Sequence, residues 1–285
     1  MGKPLYSTVA IVGVGLIGGS LGLALRERKL ARRVVGIGRH TQSLAEAESL
    51  GAISVGTTDL AAGVKDAELI ILATPVASIV PLAREIASLA AENAIMTDCG
   101  STKRQIVRDL VKNYPRGIQF VGSHPLAGGE KQGPLAAKAD LLNGKYVVLT
   151  PGTKQSAESS AVLAVADFWT SLGATVVFMS PREHDKSLAA VSHLPHLAAA
   201  ALARMTSMAD LPLCATGWRD TTRIAAGDAR LWTEIALSNQ DYLVAALEKY
   251  QRELALFTRA LAVGDTRKLE QLFQQAKERR DAVGS

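Results

Sequence analysis

Apolar runs rich in β-branched residues alternate with amphipathic stretches through the first 180 residues of the chain. The first of these runs covers residues 8–12 and leads into a glycine-rich turn. Similar runs, which have the composition of buried strands, follow at 34–37, 69–73, 94–97, 118–121, 146–149 and 174–178. Stretches with helical periodicity separate them at 20–28, 81–90, 103–112 and 157–171. Strands that alternate with helices in this way predict a parallel, doubly wound α/β sheet.

The pattern changes near residue 180, where Ser180, Pro181 and Glu183 have the arrangement of a helix N-terminus. Beyond it, long Ala- and Leu-rich stretches at helical spacing cover 181–208, 229–262 and 265–280. We therefore predict an α/β domain over residues 1–180 and an all-α dimerisation domain over residues 181–285. The helices within 229–262 are too long and too apolar to cover only this small domain, so we expect them to pack against a second copy in a homodimer.

The composition is that of a folded protein of two domains, with 285 residues of which 48% are hydrophobic and 21% are charged. The net charge of +5 is scattered along the chain, which favours small anionic ligands over nucleic acid. No apolar run approaches the roughly 18 residues that span a bilayer, and the N-terminus lacks a signal-peptide layout, so we expect a cytoplasmic protein. Cys99 and Cys214 lie far apart, which argues against a disulfide framework.

The turn after the first strand has the pattern G-x-G-x-x-G, formed by Gly13, Gly15 and Gly18. These glycines permit a tight turn and let a pyrophosphate approach backbone amides at the positive end of the following helix. Because the motif stands between a strand and a helix, it predicts a Rossmann-type dinucleotide-binding domain. The residues expected to contact the cofactor here are Gly13, Val14, Gly15, Leu16, Ile17 and Gly18.

The end of the second strand carries no acidic residue that could bind the ribose 2′-hydroxyl of NAD. Arg39 stands there instead, and a guanidinium can pair with a 2′-phosphate or stack on adenine. His40, Thr41 and Ser43 supply further donors, so NADP is favoured over NAD. The other strand ends expected to lie against the cofactor carry Ala73, Thr74, Pro75 and Gly100. A plain proline turn is the alternative interpretation of residues 73–75.

Two further strand ends place polar residues at the same crevice: residues 98–103 contain Ser101, and residues 122–128 contain His124. Histidine is suited to accept a proton from a hydroxyl whose carbon loses a hydride, because its pKa lies near neutrality. The alternative for His124, which precedes a proline, is a hydrogen-bonded loop residue. No metal is expected, since no metal-type repeat occurs among His184, Asp185, His193 and His196.

Four segments occur in a fixed order: Asp98-x-Gly-Ser-Thr-Lys103, Gly122-Ser-His-Pro-Leu-Ala-Gly128 with Glu130-Lys131, Ser192-His-Leu-Pro-His196 and Gly217-Trp-Arg-Asp-Thr-Thr-Arg223. Together they resemble the signatures of the prephenate/arogenate dehydrogenase family of tyrosine biosynthesis, from about residue 8 to residue 240. The resemblance implies oxidative decarboxylation of a cyclohexadienol, with hydride transfer to NAD(P). The chain departs from the family's commonest forms at Leu126, where Met or Ile is frequent, and at Gly129, where a hydroxyl residue is common.

The resemblance also implies a role for each site residue. His124 would accept the proton of the ring hydroxyl, and Ser101 would hydrogen-bond with His124 and help to place the nicotinamide. Arg223 would bind a substrate carboxylate, although an ion pair with Asp220 or Glu130 is the alternative. For His193, which the family places on the substrate side, the alternative is a buried, hydrogen-bonded histidine. The substrate-binding residues implied in this way are His193, Arg223, Glu130, Gly129 and Trp232.

The substrate expected from the resemblance is prephenate or arogenate. Gln132, near the catalytic loop, is not acidic and so favours the keto acid prephenate over arogenate, whose ammonium would benefit from a carboxylate. Tyrosine, which resembles the product, is a candidate inhibitor. Two other functions stay open: a β-hydroxyacid dehydrogenase or imine reductase, which joins the same kinds of domain, and a non-catalytic NADP sensor.

Overall fold

The computed structural model describes residues 4–111, 119–129, 131–152 and 158–284. Within them, eight strands form one sheet in the order β3-β2-β1-β4-β5-β6-β7-β8. The strands are β1 (Tyr6–Val12), β2 (Ala31–Ile37), β3 (Val55–Thr57), β4 (Leu69–Leu72), β5 (Ile95–Asp98), β6 (Gln119–Pro125), β7 (Tyr146–Thr150) and β8 (Thr175–Phe178). The doubly wound fold class is therefore confirmed.

Helices cover both faces of the sheet. They are α1 (Leu16–Glu27), α2 (Thr41–Ser49), α3 (Leu60–Val64), α4 (Val76–Ile86), α5 (Arg104–Val111) and α6 (Ser160–Ser171). Successive residues of a strand point to opposite faces, and β1 shows this directly. Val9 and Ile11 lie in one buried apolar cluster, while Ala10 and Val12 lie in the other. Burial on both faces explains why the strands read as continuous apolar runs.

The strand order reverses next to β1, which lies between β2 and β4 and is parallel to both. The chain moves outward from β1 to β3 and then returns to start β4 on the other side. In open α/β sheets, ligands bind at such a point, beyond the carboxyl ends of the strands. The fold thus brings the ends of β1, β4, β5 and β6 to one crevice.

Two features of the sheet differ from the sequence prediction. The short strand β3 was not predicted, because three residues are too few to give a periodic signal. The prediction of a fully parallel sheet was wrong at one position, because β7 runs antiparallel to β6. A parallel connection needs a crossover, usually a helix, whereas the described residues between β6 and β7 contain only a 3₁₀ turn at Pro134–Ala136.

The remaining described residues are helical. The helices are α7 (Pro181–Leu188), α8 (Leu194–Met205), α9 (Thr216–Thr222), α10 (Ala229–Ser238), α11 (Gln240–Ala262) and α12 (Thr266–Asp281). Ser180 caps α7 through a capping box with Glu183, as the sequence predicted. A π-helical turn at Ala189–His193 interrupts the stretch 181–208, because the ring of Pro195 excludes a regular bond to the carbonyl four residues earlier.

The helical part contacts the α/β part directly. Helix α7 follows β8 and packs against α5 and β7, and α10 packs against α4. These contacts bring α7 close to the ends of β5 and β6, where the candidate catalytic residues were predicted. None of the helices that the structure describes is both long and apolar enough to cross a membrane.

Candidate active site

The turn between β1 and α1 has the geometry of a phosphate cradle. Gly13 has a φ of +95°, and a Cβ there would lie 2.5 Å from the carbonyl oxygen of Ala73. A Cβ on Gly18 would lie 1.9 Å from the carbonyl oxygen of Gly13, so α1 packs directly on the turn. Gly15, in contrast, faces open space within 4 Å and precedes the helix without a side-chain cap. The first amides of α1 therefore fit a pyrophosphate.

The other residues of this turn have different positions. Val14 is buried in the core, and Leu16 and Ile17 are half-buried. Gly129, in the loop after β6, approaches the turn, because a Cβ on it would lie 3.7 Å from the Leu16 side chain. After β4, Thr74 has a buried hydroxyl with no hydrogen-bond partner among the described residues. An orphaned hydroxyl beside Gly13 is a further feature that a bound dinucleotide would satisfy.

The end of β2 opens into a cavity of about 510 Å³. Its lining residues are Arg39, His40, Thr41, Gln42, Ser43 and Glu46. The structure therefore brings together the donors that the sequence predicted for the adenosine end of the cofactor. The carboxylate of Glu46 accepts a hydrogen bond of 3.1 Å from the Gln42 amide. Pro75 is exposed at the start of α4.

A fully buried ion pair joins Asp98, at the end of β5, to Lys103. The Asp98 carboxylate also accepts the backbone amides of Gly100 at 2.9 Å and Ser123 at 3.1 Å. A Cβ on Gly100 would lie 2.6 Å from Ile79 and 2.8 Å from the Asp98 carboxylate, so a larger residue there would have to displace these side chains. The sequence identified the segment but not the pair, because lysine at a loop position normally reaches water.

His124 lies on β6 and is 9% exposed. Its Nδ1 atom lies 2.9 Å from Nε2 of His184, and Nδ1 of His184 lies 2.7 Å from the Asp185 carboxylate. Sequence reasoning considered His184 and Asp185 only as metal ligands and missed this contact. Ser101 is half-buried on the adjacent loop, and no hydrogen bond joins it to His124 in the described part of the chain.

Burial lowers the pKa values of the histidines in the site. They are therefore weak bases and remain neutral near pH 7. Burial lowers the pKa of His124 well below its usual value, and His184, Lys103 and His193 lower it further. Burial also lowers the pKa of His184, although Asp185 opposes the shift, and it lowers the pKa of His193 to about 4. A neutral imidazole keeps a lone pair, so His124 can accept a proton.

These shifts predict that the protein loses stability as the pH falls through the range below 6.5. The unfolded histidines titrate near 6.5, whereas the folded ones stay neutral to lower pH, down to about 4 for His193. Between the two values the unfolded state binds more protons, and each such histidine lowers the free energy of unfolding by at most about 1.4 kcal/mol per pH unit. Urea unfolding at pH 7.5, 6.5 and 5.5 measures the slope.

A matched His193→Gln variant should reduce this slope, because it removes one of the titrating groups. An unfolding free energy that is constant from pH 7.5 to 5.5, or that rises as the pH falls, would contradict the prediction. The range stops at 5.5 so that titration of ordinary carboxylates contributes little.

One ring nitrogen of His193 has no hydrogen-bond partner among the described residues. Its Nδ1 atom accepts a hydrogen bond of 3.1 Å from the side-chain nitrogen of Asn239, a residue that sequence reasoning missed. The Nε2 atom therefore carries the hydrogen, and it is buried without a partner among the described residues. Asn239 also donates to the backbone carbonyl of Asp185 at 2.7 Å, which links this imidazole to α7. An unsatisfied buried donor is what a ligand oxygen would satisfy.

Aromatic rings and a guanidinium lie beside His193. Trp232 makes an edge contact with His193 at 6.3 Å between ring centroids and stacks on His196 at 3.3 Å. Arg223 begins a 3₁₀ turn after α9 and is exposed, and its charge contributes to lowering the pKa of His196. Glu130 lies outside the described residues. Trp232 and Arg223 thus act on the histidines of the π-helical turn and α8, whereas Gly129 lies beside Leu16.

The arrangement combines a turn that fits a dinucleotide, a neutral imidazole, and a buried donor and a cation from the helical part. Two comparisons with protein families agree with this combination. Residues 21–178 match the family model described as "Prephenate dehydrogenase, nucleotide-binding domain". Residues 180–275 match the model described as "Prephenate dehydrogenase, dimerization domain".

Individual proteins show the same similarity. The prephenate dehydrogenase of Bacillus subtilis is 35% identical, over 98% of this chain and 76% of its own length. A structure of prephenate dehydrogenase from Aquifex aeolicus with hydroxyphenyl propionate and NAD+ has a TM-score of 0.89 and 31% identity, covering 99% of both chains. Synechocystis arogenate dehydrogenase has a TM-score of 0.81 and 28% identity, covering 97% of this chain and 99% of its own. The chain belongs to the prephenate dehydrogenase family of oxidoreductases, as its motifs indicated.

Proposed function

We propose that this protein oxidatively decarboxylates prephenate to 4-hydroxyphenylpyruvate, with hydride transfer to a nicotinamide cofactor. The observation that carries the proposal is the position of His124. In a member of this family, a buried and neutral imidazole at the end of β6 lies at the same edge of the sheet as a glycine turn that fits a dinucleotide. Such an imidazole can accept the proton of a ring hydroxyl.

The residues of the site have distinct tasks in this proposal. The bound nicotinamide supplies the hydride acceptor, and the first amides of α1 hold the pyrophosphate. Nε2 of His124 takes the hydroxyl proton while the carbon that bears the hydroxyl loses its hydride. Loss of the ring carboxylate as CO2 then leaves its electron pair in the ring, and the resulting phenolate takes back a proton to give an aromatic phenol. Ser101 places the nicotinamide through its position on the loop after β5.

Substrate binding is assigned mainly to residues of the helical part. The guanidinium of Arg223 suits a carboxylate, because it can form two parallel hydrogen bonds with both oxygens. The buried Nε2–H of His193 offers a donor to a second oxygen of the substrate. Trp232, Gly129 and Glu130 complete the pocket in this proposal. Tyrosine would compete at the same place, and inhibition kinetics against prephenate would measure it.

Arogenate is the second candidate substrate. Gln132 favours prephenate because it is not acidic, but it hydrogen-bonds with the carboxylate of Asp228, which caps α10. The Asp228 carboxylate therefore lies next to Gln132, and it is the group that would bind the ammonium of arogenate. Hydrogen bonds from the Leu231 amide and Gln132 lower the pKa of Asp228, which keeps the carboxylate charged.

NADP is the proposed cofactor in preference to NAD. Arg39, His40, Thr41 and Ser43 line one cavity at the end of β2, and a 2′-phosphate is the group that this set of donors would bind best. No acidic residue stands at the end of β2 itself, where an NAD-specific site would need one.

The proposed working unit is a homodimer with a domain boundary at residue 180, formed through the helical part. Several large apolar side chains of the helical part and its connecting turns are strongly exposed, and they include Met205, Met208, Leu213, Leu261, Val263 and Phe273. Exposed apolar surface of this extent is typical of a protein–protein interface.

Formation of the reduced cofactor, followed at 340 nm with prephenate and arogenate and with NAD and NADP, tests the proposal. We expect kcat/KM to be highest for prephenate with NADP. A higher kcat/KM for arogenate would make the second candidate the substrate. An absence of turnover with both substrates would overturn the proposal, and activity on 3-hydroxy acids or pyrroline carboxylate would then identify the other dehydrogenase classes.

Arg39→Ala provides the control for the cofactor assignment. If Arg39 pairs with a 2′-phosphate, the variant raises the KM for NADP and leaves the KM for NAD close to wild type. An equal effect on both cofactors would mean that Arg39 only stacks on adenine.

A further inference from the structure

The two residues that follow the capping box of α7 form a buried chain of contacts with His124. The Asp185 carboxylate is 1% exposed, His184 is fully buried and His124 is 9% exposed, so the contacts are shielded from water. Asp185 contacts Nδ1 of His184, and Nε2 of His184 contacts Nδ1 of His124. His124 belongs to the α/β part, whereas the other two residues come from the helical part.

Asp185 fixes the direction of these hydrogen bonds. Its Oδ1 atom accepts the backbone amide of Lys103 at 2.7 Å, and its Oδ2 atom accepts that of Arg104 at 2.9 Å. Backbone amides only donate, and the carboxylate stands at the N-terminus of α5, where a negative charge is favoured. Asp185 is therefore an acceptor for all its partners, and the hydrogen between it and His184 lies on Nδ1 of His184.

The direction of the first bond determines the second. Neutral His184 with its hydrogen on Nδ1 has a lone pair on Nε2, which can only accept. Nδ1 of His124 must then donate, and Nε2 of His124 keeps the lone pair. We propose that His184 and Asp185 are positioning residues that hold His124 in the Nδ1–H tautomer and so leave Nε2 as the proton acceptor. This inference rests on the proposed role of His124 as the base.

The same hydrogen bonds, which link His124 through His184 to Asp185, stabilise His124 after it has accepted a proton. The O–H bond of the substrate breaks, the proton binds to Nε2 of His124, and the imidazole becomes a cation. Its Nδ1–H bond to His184 becomes charge-assisted, and the anionic Asp185 lies one imidazole away. Among the described residues, Lys103 and His193 also act on His124, and Lys103 is paired with Asp98. Asp185 is thus the anion that stabilises protonated His124 through His184.

The first test observes the tautomers directly. Long-range ¹H–¹⁵N correlation spectra of the apoprotein, labelled with ¹⁵N in its histidine rings, identify which ring nitrogen carries the hydrogen. We expect the hydrogen on Nδ1 for both His124 and His184, with assignments from His124→Asn and His184→Phe. A hydrogen on Nε2 of His124 in the wild-type protein would overturn the inference. This measurement does not depend on the reaction, so it separates a failure of the inference from a failure of the proposed function.

The second test compares two variants of His184. Gln keeps an amide hydrogen for Asp185 and an oxygen that accepts from His124, whereas Phe keeps the bulk and loses both hydrogen bonds. We expect His184→Phe to lower kcat roughly 10–100-fold, with little change in the KM for substrate, and His184→Gln to restore most of the loss. A Phe variant as active as wild type, or one more active than the Gln variant, would mean that His184 only fills space. Binding of NADP to both variants reports their folding.

Discussion

His124→Asn is expected to lower kcat for prephenate by about 10²–10⁴-fold, which is the usual contribution of a general base. Asn cannot take up a proton near pH 7, but its amide nitrogen can still donate toward His184, so the surrounding packing is kept. The variant leaves the proposed cofactor site, at the turn around Gly13 and the cavity at Arg39, intact, so cofactor binding should stay unchanged. Steady-state kinetics and fluorescence titration with the cofactor measure the two effects.

The matched control is Gln274→Asn on α12, which changes an exposed hydrogen bond to Glu278 and alters none of the proposed site residues. It should leave kcat within a few-fold of wild type. If His124→Asn retained full turnover, the base would have to be another group. If neither wild type nor variant turned over prephenate, arogenate, 3-hydroxy acids or pyrroline carboxylate while both bound NADP, the sensor function would be favoured instead.

The fold and half of the site could be predicted from the sequence because their signals are local. Val9 to Val12 alternate between the two faces of the sheet, and both faces are covered, which gives an apolar run that a single strand can display. Gly13 and Gly18 are needed by backbone geometry within six residues, so they form a readable motif. The capping box at Ser180 is local in the same sense.

The other half of the site depends on contacts between distant segments. His124 and His184 are 60 residues apart, and Lys103 and Asp185 are 82 apart, so no spacing rule connects them. His184 and Asp185 were considered only as metal ligands and were rejected in that role, and the sequence does not show that α7 packs against α5. Asn239 was missed for a similar reason, since its importance lies in its contacts with His193 and Asp185. Interdomain packing therefore determines the surroundings of the proposed base.

Lys103→Met is expected to lower the free energy of unfolding by about 3–5 kcal/mol, because it leaves the Asp98 carboxylate buried without its cation. Both side chains are fully buried, so water cannot replace the lost partner. The amides of Gly100 and Ser123 still donate to Asp98, which limits the loss but does not neutralise the charge. Urea unfolding at pH 7.5 measures the change.

The double variant Asp98→Asn/Lys103→Met distinguishes the charge from the packing. It removes both charges and keeps similar volumes, so it should be more stable than Lys103→Met alone, as expected for a coupled buried pair. The exposed pair of Lys277 and Asp281 on α12 provides the reference, since Lys277→Met should change stability little. Equal destabilisation in the single and the double variant would mean that the unpaired charge of Asp98 is not the main cost of Lys103→Met. In that case the loop that carries Ser101 would be held by the Asp98 hydrogen bonds and not by the ion pair.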